Sequence, residues 1–222
     1  MTGIPVERFQ SISQDPPVRG FLHRPDKPNH EGLVFAHGAG GNANAGLCVS
    51  IAEAFSGAGF TVLRIDLPFR QDKNFGPPRP TGAARDRAGL KNAVAEMRKL
   101  VSARVFLGGQ SYGGRQATML CAEDAKLADG LLLTSYPLHP PGKPDQQRVE
   151  HFPNLQVPAL FISGSKDPFG SIAELSSALK LIPARTELMP LEGVGHDLGF
   201  KGKSKSAEVI SKIVEEFRRL FG

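Results

Sequence analysis

A chain of 222 residues, 40% of them hydrophobic, has the length of one domain with a substantial core, and residues 1–222 are read as that domain. Its two cysteines, Cys48 and Cys121, stand far apart and outside any CxxC spacing, which argues against a disulfide framework or a zinc centre. The net charge of +5 and the pI near 9.4 come from Lys and Arg scattered along the chain, so no nucleic-acid partner is expected, and the cluster Lys201, Lys203, Lys205 reads as solvated surface.

Residues 1–20 hold no signal-peptide-like apolar run and no later segment approaches a membrane span, so a soluble, cytoplasmic protein with no membrane partner is expected. VERFQSIS and VRGFLHRP read as a short antiparallel hairpin at a sheet edge. GLVFAHG, residues 32–38, is the first strongly apolar strand. Leu47, Ile51, Phe55 and Ala58 then share one helical face, closed by glycines at 57 and 59. FTVLRIDLP, residues 60–68, is the next strand. After a loop with Gly76, Pro77, Pro78 and Pro80, a second amphipathic helix carries Leu90, Val94, Met97 and Val101.

RVFLG, residues 104–108, reads as a buried strand that runs through GQSYGG into a helix starting at Tyr112, and GLLLTSYPL, residues 130–138, as a further strand. The prolines at 140, 141, 144 and 153 favour an irregular loop and leave no room for a cap domain. PALFISG resumes the strand pattern. Ser171 with Glu174 forms a capping box for a helix closed by Pro183, and TELMPLEG is the last strand. Ile210, Ile213, Val214, Phe217 and Phe221 line one face of a final helix from Ser206. Alternating βα units of this kind predict an α/β fold with a largely parallel sheet.

Gly109-Gln110-Ser111-Tyr112-Gly113 fits G-x-S-x-G at the junction of a buried strand and a helix, where the glycines permit a sharp turn that lifts the serine hydroxyl to the carboxyl end of the sheet. A serine hydroxyl needs a base, and the base needs an orienting carboxylate. His196, on the glycine-flanked loop GVGHD after the last strand, is the candidate base. Asp167, just past PALFISG, is the candidate acid, with Asp197 and Glu192 as rivals too near His196 in sequence. The order Ser, Asp, His suits this architecture.

The loop His37-Gly38-Ala39-Gly40-Gly41-Asn42 follows the strand LVFA, and Ala39 N–H joins Tyr112 N–H as candidate oxyanion donor. No GxGxxG or Walker lysine accompanies it, so nucleotide binding is not expected. His37 reads as structural. Gly38, Tyr136 and His139 are candidate substrate-binding residues. Phe69, Phe169 and Phe200 could add apolar walls, and Arg64, Arg70 and Arg115 could meet a substrate carboxylate or equally stand on the surface.

Taken together, HGAGGN, VFLGGQSYGGR, LLLTSYPLHPPG, FISGSKDPFG and GVGHDL resemble the dienelactone-hydrolase-like branch of the α/β-hydrolase superfamily, over about residues 20–220. SYPLHPPG is similar to the small hydrolases related to a subunit of the non-specific-lethal acetyltransferase complex. The resemblance implies the alpha/beta-hydrolase fold, with about eight mostly parallel strands flanked by helices, and triad roles for Ser111, Asp167 and His196. Dienelactone hydrolases use a cysteine nucleophile where this chain has Ser111. The expected activity is serine-dependent cleavage of a small-molecule carboxylic ester through an acyl-enzyme, with no cofactor and no metal. Acyl transfer and a non-catalytic interaction role are the alternatives.

Overall fold

The computed structural model describes residues 6–200 and 206–222, so the Lys201, Lys203, Lys205 cluster lies outside the described residues. Eight strands form one sheet: β1 Val6–Ser11, β2 Val18–His23, β3 Gly32–Ala36, β4 Thr61–Ile65, β5 Val105–Gln110, β6 Leu131–Thr134, β7 Ala159–Gly164 and β8 Thr186–Leu191. Their order is β1-β2-β4-β3-β5-β6-β7-β8. β1 and β2 form the expected antiparallel hairpin, β2 runs antiparallel to β4, and every pairing from β4 through β8 is parallel.

Side chains alternate across a strand, so each central strand feeds two cores. Val34 and Ala36 of β3, Leu107 of β5, Leu133 of β6 and Phe161 of β7 face one core. There they meet α3 Ala83–Leu100, α4 Tyr112–Glu123 and α5 Ile172–Leu179. Leu33, Phe35, Phe106, Leu132, Leu160 and Ile162 face the other core, beneath α1 Gly46–Gly57 and α6 Ser206–Phe221. Phe55, Phe60, Phe106 and Phe217 pack edge to face in that second core, with centroids 4.8–6.1 Å apart for the pairs in contact. This two-sided burial is why the central strands read as continuous apolar runs.

Several predicted boundaries shift: the strand at 32–38 ends at Ala36, and the one at 104–108 spans Val105–Gln110. The strand expected to run to Pro68 ends at Ile65, because Pro68 opens a short helix, α2 Pro68–Asp72, in a stretch expected to be strand end and loop. Val101 leaves α3 in an extended conformation and so is not part of the helix. The apolar run at 130–138 supplies only four strand residues, since Ser135 turns at φ 53°. The capping box is present: Ser171 Oγ accepts from Glu174 N–H, and Glu174 accepts from Ser171 N–H. The stretch after β6 is irregular, with a single 3-10 turn at Phe152–Asn154, and among the described residues no cap stands over the sheet. No described helix is long and apolar enough to cross a membrane.

Candidate active site

The carboxyl ends of β3, β5, β7 and β8 open on one edge of the sheet, and each supplies a piece of the site. At the end of β5, Ser111 has φ 50° and ψ −113°, a conformation costly for a residue with a Cβ. The turn closes because Gly109 and Gly113 have no side chains. A Cβ on Gly109 would come within 2.8 Å of the backbone of Gly113 and Gly114, and one on Gly113 within 2.6 Å of the His37 carbonyl. Ser111 N–H donates to the Thr134 carbonyl at 2.8 Å, and its own carbonyl accepts from Arg115 N–H at 2.9 Å, so the strained residue is held at both ends.

His196 Nε2 lies 2.8 Å from Ser111 Oγ, and Nδ1 lies 2.8 and 3.0 Å from the two oxygens of Asp167. A carboxylate beside Nδ1 accepts only, so Nδ1 carries the proton and Nε2 presents its lone pair to the serine hydroxyl. The Asp167 side chain is 1% exposed. Its Oδ1 also accepts from Phe169 N–H at 2.9 Å. The Phe169 ring lies against the His196 imidazole with centroids 4.3 Å apart, covering one face of that ring. Asp197 accepts from Gly199 N–H, and Glu192 from the Ser165 hydroxyl, so both rival carboxylates are engaged in holding their own loops.

The glycine loop after β3 is fixed by side chains beneath it. His37 Nε2 accepts from Leu67 N–H at 3.1 Å, so its Nδ1 donates to the Gly38 carbonyl at 2.7 Å. Burial pushes the His37 pKa down, which keeps this ring neutral and structural, as expected. Arg70 donates to the carbonyls of Ala39 at 2.9 Å and Gly41 at 2.8 Å, and also to Gly76. Gly38 and Ala39 line the space beside Ser111. Tyr112 N–H is the first of its helix, has no partner within it, and meets no side-chain cap.

Four of the weaker assignments move. Tyr136 is buried against Phe152 and Phe161, and its hydroxyl donates to the Arg148 carbonyl at 2.7 Å. It therefore supports the loop after β6 from below instead of lining the pocket. His139 is also buried, with Nδ1 on the Pro140 carbonyl and Nε2 facing Glu174 at 3.6 Å, and it lines neither hollow beside Ser111. Arg64 and Arg70 are buried, not surface or substrate-facing. Arg64 stacks on Phe21 and bonds His23, Ala43 and Asn44. Their charges are met by backbone carbonyls that no local pattern reveals.

Asp86 is a participant that the sequence did not mark. Fully buried on α3, it accepts from the Tyr112 hydroxyl at 2.7 Å and from Phe69 N–H at 2.9 Å, and burial holds its carboxyl above the usual range. Phe69 in turn packs edge-on against both His37 and Tyr112. Phe169 walls the site, whereas Phe200 packs on the α1–α6 core.

Two histidines, His23 buried and His151 half-buried, make stability pH-dependent. His23 accepts from Arg64 Nε, and burial followed by the Arg64 charge lowers its pKa from 6.5 to about 4. His151, bonded to Thr118 Oγ1, is lowered to about 4 by burial and the nearby Arg115 charge. Both are neutral when folded and protonate more readily when unfolded. Stability is therefore present above about pH 6.5 and is lost as pH falls from there towards 4, by roughly 3 kcal/mol for each histidine. Urea midpoints should drop across that window. A flat midpoint from pH 7 to 4.5 would contradict these assignments.

A family model described as an alpha/beta hydrolase domain matches residues 29–220. The fold is similar to that of an alpha-beta serine hydrolase homologue from Coxiella burnetii, 18% identical, with 95% of this chain and 96% of that one covered at a TM-score of 0.76. It is equally similar to a dienelactone hydrolase from Anabaena variabilis, 18% identical, with 99% of each chain covered at a TM-score of 0.75. Two Mycobacterium tuberculosis relatives with the provisional name phosphoribosyl transferase are 25% identical over 203 residues, covering 86% of this chain. The chain spans about two-fifths of their length, 41%.

Proposed function

This chain belongs to the alpha/beta hydrolase family, and from that membership we propose that it is a serine hydrolase that cleaves small carboxylic esters through an acyl-enzyme. The observation that carries the reading is the continuous hydrogen-bonded line from Asp167 through His196 to Ser111, ending on a serine held at positive φ. His196 Nε2 removes the hydroxyl proton as Ser111 Oγ attacks the ester carbonyl. Tyr112 N–H and Ala39 N–H receive the developing oxyanion, the latter held in place by Arg70 beneath its carbonyl. His196 then returns the proton to the departing alcohol, and a water molecule activated by the same nitrogen releases the acid.

Asp167 keeps the imidazole in the required tautomer and stabilises the imidazolium that forms. The water-facing side of His196 is 25% exposed, which gives the second step its nucleophile from bulk solvent. Turnover of neutral ethyl esters with increasing acyl length tests the reading. Equal release of alcohol and free acid is expected. No cleavage across the series would overturn the proposal, and alcohol release without free acid in the presence of an acceptor would mark acyl transfer.

A further inference from the structure

Two hollows flank Ser111, and they differ in charge. One, about 630 Å³, is bounded by the glycine loop, Phe169 and His196. The other, about 440 Å³, is walled by Pro78, Pro137 and Phe169 and carries Arg79, Arg115 and Arg148. Both are of a size that takes a small organic ligand. The proton for the departing alcohol comes from His196, so the alcohol half must occupy the His196 side. The acyl half then extends into the arginine side.

Arg115 sits one helical turn after Ser111 on α4, about 6 Å along the axis, and Arg148 enters from the loop after β6. Among the described residues neither forms an ion pair, and the Nε of Arg115 is buried with no hydrogen-bond partner. Arg148 spends one nitrogen on the Pro137 carbonyl. Burial and the neighbouring Arg115 charge push the Arg148 pKa down, and the nearby His151 ring is neutral and offers no counter-charge. The one acid nearby, the exposed Glu150, acts on Arg148 only from beyond ion-pair distance, so two like charges gathered beside a nucleophile are incompletely balanced, and an anionic ligand relieves that cost. Tyr136 and Leu138 hold Arg148 in this place through its backbone, so the cation is supplied by an ordered support.

Building on the esterase reading, we propose that the preferred substrates are esters whose acyl half ends in a second carboxylate, bound by Arg115 and Arg148. Monoethyl succinate, glutarate and adipate, compared with ethyl butyrate, valerate and hexanoate, test this directly. The anionic esters should show a kcat/KM about 10- to 100-fold higher, the range for a charge-assisted hydrogen-bonded pair. The ratio of anionic to neutral kcat/KM should fall about tenfold in Arg115→Gln and in Arg148→Gln. Acetoxyacetate, which carries its carboxylate on the alcohol half, should gain no such advantage.

Glutarate should also protect wild-type Ser111 from a fluorophosphonate more effectively than valerate at equal concentration, a readout that needs no variant to fold. A wild-type ratio of one or less, a ratio unmoved in both variants, equal protection by the two acids, or an equal gain for acetoxyacetate would overturn the assignment. Turnover of neutral esters without the anionic preference would overturn this inference alone. Absence of turnover and of labelling altogether would overturn the esterase reading with it.

Discussion

Ser111→Ala is expected to lower kcat on a neutral ester by roughly 10⁴- to 10⁶-fold, the size of effect produced by loss of the nucleophile from a cooperating triad. The magnitude is large because His196 and Asp167 act only through that hydroxyl: without an Oγ to deprotonate, the imidazole has no productive proton to take. The variant should stay folded. Ser111 Oγ makes its hydrogen bond to His196, while the backbone of residue 111 is held independently by Thr134 and Arg115. Alanine retains the Cβ and hence the strain at φ 50°, so the unfolding free energy should change by less than about 1 kcal/mol. Ser111→Gly, equally inactive, should relieve part of that strain. Steady-state rates with urea unfolding of both variants check these outcomes, and retention of more than a tenth of the activity in either would refute the nucleophile assignment.

Asp167→Asn is expected to cost about 10³- to 10⁴-fold in kcat with little change in KM. The amide is nearly isosteric, and its oxygen can still accept from Phe169 N–H, so the turn after β7 should persist. The base is the group that changes. Facing an amide instead of two carboxylate oxygens, the His196 ring loses the partner that keeps the proton on Nδ1 and loses compensation for the imidazolium formed as Ser111 attacks. A loss below tenfold would mean that Asp167 does not orient the base. A large rise in KM with kcat preserved would move its role to substrate binding.

Much of this site was legible because its parts sit at strand ends. Apolar runs buried on both faces mark β3, β5 and β7, and the loops leaving their carboxyl ends must emerge at the same edge of a parallel sheet. Thus Ser111, Asp167, His196 and the glycine loop could be placed near one another from strand order alone. Gly109 and Gly113 were legible for the same local reason, since a strand-to-helix turn this tight admits no Cβ.

The rest depends on contacts between distant segments. Asp86 lies in a polar stretch of α3 that could equally face water, and its burial is decided by Tyr112 and Phe69 arriving from elsewhere. Tyr136 comes just after a strand, which suggested a place in the pocket, but the chain turns at Ser135 and sends the ring into the core. Arg64 and Arg70 are cations solvated inside the protein by loop carbonyls and neutral side chains, partners with no sequence mark. Arg148 lies in an irregular loop with no periodicity to say which way it points, so its meeting with Arg115 is visible only in three dimensions.

The most direct test of the central assignment is the mass of the intact protein, with peptide mapping, after exposure to a fluorophosphonate. One adduct per chain is predicted, on the peptide containing Ser111, absent from Ser111→Ala and formed more slowly in Asp167→Asn. No adduct on the wild type, or an equal adduct on Ser111→Ala, would contradict the account.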